Sequence, residues 1–110
     1  MALLIAGLCV YANSACADFT SADELLTFCE PKDATDAAHC LAYIAGALDT
    51  YTAVARAENR KNPGFCAPPG VTLAQIERVI VKYLNDHPAN LHTPAASNVY
   101  LALTSAFPCK

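Results

Sequence analysis

Six cysteines and three histidines are the residues of this 110-residue sequence whose types could carry metal, redox or nucleophilic chemistry. Their spacing argues against the first and last of these. There is no C-x-x-C, and no Cys–His pair stands at zinc-knuckle spacing. His87 and His92 flank a loop at i, i+5, a separation that does not put two ligands on one helical face, and His39 stands apart from both. A Cys–His nucleophile needs a free thiol. No G-x-S-x-G, H-E-x-x-H or phosphate-binding glycine loop occurs. The carboxylates Asp23/Glu24 and Asp33/Asp36 cluster where helices begin, so capping and the helix dipole account for them without acid–base work. Arg56, Arg60 and Lys61 fall at the end of a long helix, where the dipole favours cations; they read as a solvated face or as an interaction patch. The expectation is a chain with no catalytic set, no metal and no cofactor.

Composition narrows the class. Lys and Arg total 7 against 10 Asp and Glu, a formal net charge of −3, too acidic a balance to neutralise many nucleic-acid phosphates. A hydrophobic share of 55% excludes a disordered chain. Residues 1–17 carry no charge and end in Ala15-Cys16-Ala17, an A-x-A pattern of the kind signal peptidase cuts. The reading is an export signal over 1–17 and a single domain over 18–110, located in the periplasm without a membrane anchor. No Lys or Arg follows Met1, a departure from the usual signal. A buried N-terminal helix is the alternative; a lipid anchor on Cys16 is disfavoured because Asn13 stands where Leu is usual. Cleavage after Ala17 leaves Cys29, Cys40, Cys66 and Cys109, an even set that suits two disulfides in an oxidising compartment.

The elements that position these residues are helical. Ser21-Ala22-Asp23-Glu24 spells a capping box, starting a short helix that buries Leu25, Leu26 and Phe28 and stops at Pro31. A second helix runs from near Thr35 or Asp36 to about Asn59, with Cys40, Tyr43, Ile44, Ala47, Leu48, Tyr51 and Ala55 on one stripe. Gly46 interrupts it, by tolerance or to admit a close neighbour. The polar turn 60–64 and the proline-rich 65–70 follow. Thr72 and Gln75 then form a second capping box with a Val71–Ile76 staple, and the third helix presents Ile76, Val79, Ile80, Tyr83 and Leu84 up to Asp86. The connector 87–92 is short and reads as a single turn with Pro88 at its first position. Thr93-Pro94 reads as N-cap and first helical residue of a fourth helix burying Ala95, Val99, Ala102, Leu103 and Ala106 and ending at Phe107-Pro108. No segment alternates with period two. The fold class is all-α, a small disulfide-bonded bundle of about four helices. Tyr43, Tyr51, Tyr83 and Tyr100 suit either a core or an interface.

Helix order favours one of the three cysteine pairings. A short link makes the first two helices antiparallel, bringing Cys29 to Cys40; antiparallel third and fourth helices bring Cys66 to Cys109. In the loop-entropy account, closures of about 11 and about 43 residues contribute roughly 3 and roughly 4 kcal/mol.

Cys40-x-x-Tyr43-Ile44-x-Gly46-x-x-Asp49, Phe65-Cys66-x-Pro68-x-Gly70-Val71, Tyr83-Leu84-x-x-His87-Pro88, Ala95-Ala96 and Phe107-Pro108-Cys109 occur in an order that resembles the Rap/Tai family, immunity proteins of type VI secretion amidase effectors. The resemblance spans about Asp18 to Lys110. It implies an all-α, disulfide-bonded periplasmic protein, usually a homodimer, whose partner is a cell-wall amidase effector of the Cys–His type, blocked by occlusion of its active site. It also favours an exposed loop as the occluding element. The candidates are the connector, with Asp86, His87, Asn90 and His92, and the polar turn, with Arg60 and Lys61. A small periplasmic chaperone or stress protein, and a family member that binds another periplasmic enzyme, are the alternatives.

Overall fold

The computed structural model describes residues 19–30 and 33–110; the expected export signal and the stop at Pro31 lie outside them. Four α-helices follow one another: α1 (Ala22–Cys29), α2 (Ala34–Ala57), α3 (Leu73–Asp86) and α4 (Ala95–Ala106), with a 3₁₀ turn, Pro88–Asn90, between the last two. Among the described residues there is no strand, only an isolated antiparallel bridge between Ser21 and Pro94.

A helix of 8 residues is marginal by itself, so α1 depends on its ends and its packing. The capping box forms as the sequence reading expects: the Glu24 amide donates to Ser21 Oγ (3.1 Å) and the Ser21 amide to the Glu24 carboxylate (3.0 Å). At the other end the Cys29–Cys40 disulfide ties α1 to the second turn of α2. Phe28 is half-buried and stacks on His39, ring centroids 4.7 Å apart.

Helix α2 starts slightly earlier than periodicity suggests, because Asp33 is its cap and accepts from the Asp36 amide (2.9 Å). It also stops earlier, at Ala57. Asn59 takes a left-handed conformation (φ 57°), and the Arg60 amide turns back to the Ala55 carbonyl (2.8 Å) while the Asn59 amide reaches that of Arg56 (3.1 Å), a Schellman ending. Gly46 is exposed, and a methyl group placed there would meet nothing within 4 Å, so it marks tolerance and no close helix approach. Thr72 caps α3 by accepting from the Gln75 amide (3.1 Å), without the return bond of a full capping box.

The start of α4 departs from the sequence reading. Pro94 is the N-cap, and Thr93 makes no cap to the helix; its hydroxyl turns back to the Asn90 carbonyl instead (2.5 Å). Ala106 is exposed, since it lines an open groove between α3 and α4.

Helix α1 packs against the other three helices. Leu25, Ile44, Ile80, Leu84, Val99 and Leu103, drawn from all four, are fully buried, each worth about 1.5–3 kcal/mol relative to exposure. The four tyrosines are half-buried around this core. The Cys66–Cys109 disulfide joins the segment before α3 to the one after α4, completing the pairing that helix order favours.

Candidate partner-binding surface

The connector between α3 and α4 lies along the first turn of α1 and is held there by backbone hydrogen bonds. A helix leaves its first amides without internal partners. In α1 these go to the connector: the Ala22 amide donates to the Thr93 carbonyl and the Asp23 amide to that of Leu91, both at 2.9 Å. In return the first amide of α4, Ala95, donates to the Thr20 carbonyl (2.9 Å). The connector is therefore cross-linked to an element some seventy residues earlier in the chain.

Beneath it sits Asn98, the one buried polar residue among the described ones, 2% exposed. Its Nδ2 donates to Thr93 Oγ1 (2.7 Å) and to the Pro94 carbonyl (2.8 Å), and Thr93 Oγ1 donates onward to the Asn90 carbonyl. The sequence reading missed Asn98. A polar residue next to the apolar stripe of a helix that follows Thr-Pro is the only hint the sequence offers.

The candidate residues fall as follows. Asp86 ends α3, is exposed and pairs with Lys82 (2.8 Å); the hydrogen bond from that ammonium holds its carboxyl below the usual carboxylate range. His87 caps α3, stacks on Tyr83 with centroids 4.1 Å apart, and places Nδ1 2.7 Å from the Tyr83 carbonyl. Asn90 and His92 are exposed, and among the described residues their side chains make no hydrogen bond. Beside His92, a shallow hollow is lined by Ser21, Asp23, Pro88 and Leu91. The backbone of this loop is thus fixed while its polar side chains stay exposed.

The polar turn is a separate surface. Arg60 is paired with Glu58 (2.8 Å) and Lys61 is exposed. The Asn62 side chain accepts from the Gly64 amide (3.0 Å), and Gly64 lies against the Tyr100 ring. The Cys66 amide donates to the Phe107 carbonyl beyond the end of α4 (2.8 Å). The turn is fastened to Tyr100 and, through Cys66, to Phe107 beyond the end of α4, and among the described residues no hydrogen bond or ion pair joins Arg60 or Lys61 to the connector residues.

Between α2 and α4 runs an apolar groove of about 430 Å³, lined by Tyr51, Ala96, Ser97, Tyr100 and Leu101. Tyr51 Oη donates to the Ala96 carbonyl at its floor. Burial pushes the Tyr51 phenol far above its ordinary value and that of Tyr43 upward as well. Among the described residues no cluster of three or more His, Cys, Asp or Glu side chains could hold a metal ion, and no helix is long and apolar enough to cross a membrane.

No curated protein and no solved structure matches the chain. One family profile does, that of the Rap1a immunity proteins, and it covers residues 21–109, from the cap of α1 to the second cysteine of the terminal disulfide. Matched over nearly all of its helical domain, the chain belongs to the Rap1a immunity protein family and is a binding protein rather than an enzyme.

Proposed function

We propose that the chain is a periplasmic immunity protein that binds a type VI secretion peptidoglycan amidase effector and inhibits it by lodging the 86–92 connector in the active-site cleft. Family membership supports the immunity role. The observation that supports this loop as the inhibitory element is its backbone, pinned to α1 through the Ala22 and Asp23 amides, with Asn90 and His92 left exposed. An inhibitory loop ordered before contact loses less conformational entropy on binding. Export through residues 1–17, read from their uncharged run and A-x-A ending, and a homodimeric state, implied by the family resemblance, complete the reading.

The test is inhibition of purified cell-wall amidases, with co-purification from periplasm to find the partner. Asn90→Ala or His92→Ala is expected to weaken inhibition by at least about tenfold, the effect of losing a buried hydrogen bond at an interface hot spot. Folding should be retained, because neither side chain bonds within the described chain. The double variant Arg60→Ala/Lys61→Ala is expected to act mainly on association rate and its salt dependence. Normal inhibition by the connector variants with loss in the turn variant would transfer the role to residues 60–64. Binding of unfolded clients at acid pH, with no amidase partner, would favour the chaperone alternative.

A further inference from the structure

Within the proposed inhibitory loop, the hydrogen bonding of His87 has a consequence for what it can recognise. A backbone carbonyl can only accept a hydrogen bond. With Nδ1 2.7 Å from the Tyr83 carbonyl, that nitrogen must carry the proton. A neutral imidazole has one N–H, so the Nε2 lone pair is then an acceptor. Two further features hold the ring in place: its stacking on Tyr83, with the planes 25° apart, and its position as the cap of α3, where the His87 amide donates to the Leu84 carbonyl (3.2 Å). Nε2 has no hydrogen-bond partner among the described residues, and His87 is exposed.

Resting on the amidase-inhibitor reading above, we propose that His87 is a specificity residue whose Nε2 accepts a hydrogen bond from a donor group of the effector, an N–H or O–H at the rim of its cleft. The groove beside His87 fits such a contact. It holds about 300 Å³ between α3 and α4, with Val79, Tyr83, Ala102 and Ala106 supplying apolar surface for the side chain that carries or neighbours the donor. The charged groups facing the ring are Lys82 and Asp86 of α3, already paired with each other; α4 presents Ser105 and the two alanines, none of them charged. Glu30, which caps the end of α1, is engaged by Asn85 (3.0 Å).

Three readouts test this. In the free wild-type chain, nitrogen-15 NMR of the His87 ring should show the proton on Nδ1 at neutral pH; a proton on Nε2 overturns the proposal. Against an amidase that the wild type inhibits, His87→Ala and His87→Asn should each weaken inhibition by about tenfold. Asn places its amide near Nδ1 and cannot reach. His87→Gln, whose amide oxygen falls near Nε2, should restore inhibition to within about threefold. Circular dichroism of each variant confirms folding. Undiminished inhibition by His87→Ala, or failure of His87→Gln to inhibit better than His87→Asn, overturns this inference alone. Failure of the wild type to inhibit any amidase overturns the functional reading and this inference with it.

Discussion

Two glycines show how strongly the surroundings of one residue decide the sign of a substitution. Gly46 lies inside α2 on an exposed face with open space around it. Alanine there restricts the unfolded chain and meets nothing, so Gly46→Ala should stabilise the protein by about 0.5–1 kcal/mol. Gly64 has φ +102°, and a Cβ on it would collide with Tyr100 Oη. Gly64→Ala should therefore destabilise, by about 1–3 kcal/mol for the backbone strain and more for displacing a half-buried ring. Urea denaturation of both variants against wild type checks the opposite signs; a stabilising shift in Gly64→Ala would mean that neither the positive φ nor the Tyr100 ring opposes a side chain there. Much at this scale was legible beforehand. Ser21 and Thr72 announce helix starts because a cap is a local bond between neighbours in sequence. Thr93 looked like a third cap and is not, because its hydroxyl is committed to the Asn90 carbonyl and the buried Asn98. Both partners are near in sequence, but Thr-Pro is equally a local signal for a cap, and the burial of Asn98 that decides between them is a product of tertiary packing. The mutual hydrogen bonding of α1 and the connector is not legible in the sequence because it joins segments far apart in the chain.

At the scale of elements the two disulfides differ in what shields them. Both pairings follow from which helix ends meet, and that was readable from helix order. Their accessibility was not, since it depends on which flank each covalent link faces. Cys29 and Cys40 are buried at 5% and 0% exposure in the joint between α1 and α2. Cys66 is exposed and Cys109 half-buried, in segments outside the helices. Thiol–disulfide exchange requires a thiolate to approach one sulfur along the bond, so a limiting dithiol should open Cys66–Cys109 first. Its 43-residue separation implies roughly 4 kcal/mol of lost stabilisation in the loop-entropy account. The contacts between α1 and the connector involve neither cysteine, and Thr93 and Leu91 should keep their protected partners, Ala22 and Asp23, in hydrogen exchange. Partial reduction, alkylation and peptide mapping decide the order. Labels appearing first on Cys29 and Cys40 would show that the α1–α2 joint opens before the terminal clasp.

Across the whole molecule, α2, the segment before α3, and α4 meet in one aromatic cluster. Tyr51 stands edge-on to Tyr100 at 5.3 Å and to Phe65 at 6.2 Å, and Phe65 to Tyr100 at 6.4 Å. This cluster makes stability depend on pH in a definite direction. Burial disfavours the phenolate of Tyr51 strongly and that of Tyr43 less, raising both above the value of 10.0 that an unperturbed tyrosine has. Below that value the phenols are protonated whether the chain is folded or not, and they give stability no slope. Above it the unfolded chain releases protons that the folded chain retains, so fewer protons are bound in the unfolded state and stability falls as pH rises. The loss begins near the unfolded value and continues toward the higher folded ones. Urea denaturation from about pH 8 to about pH 11, with the disulfides intact, should thus show a plateau followed by a decline. Tyr51→Phe loses the hydrogen bond to the Ala96 carbonyl and should be less stable on the plateau, yet its decline should be shallower because the group with the largest shift is gone. Parallel curves for variant and wild type would place the alkaline weakness elsewhere in the molecule; converging curves locate it in the contact that ties α2 to α4.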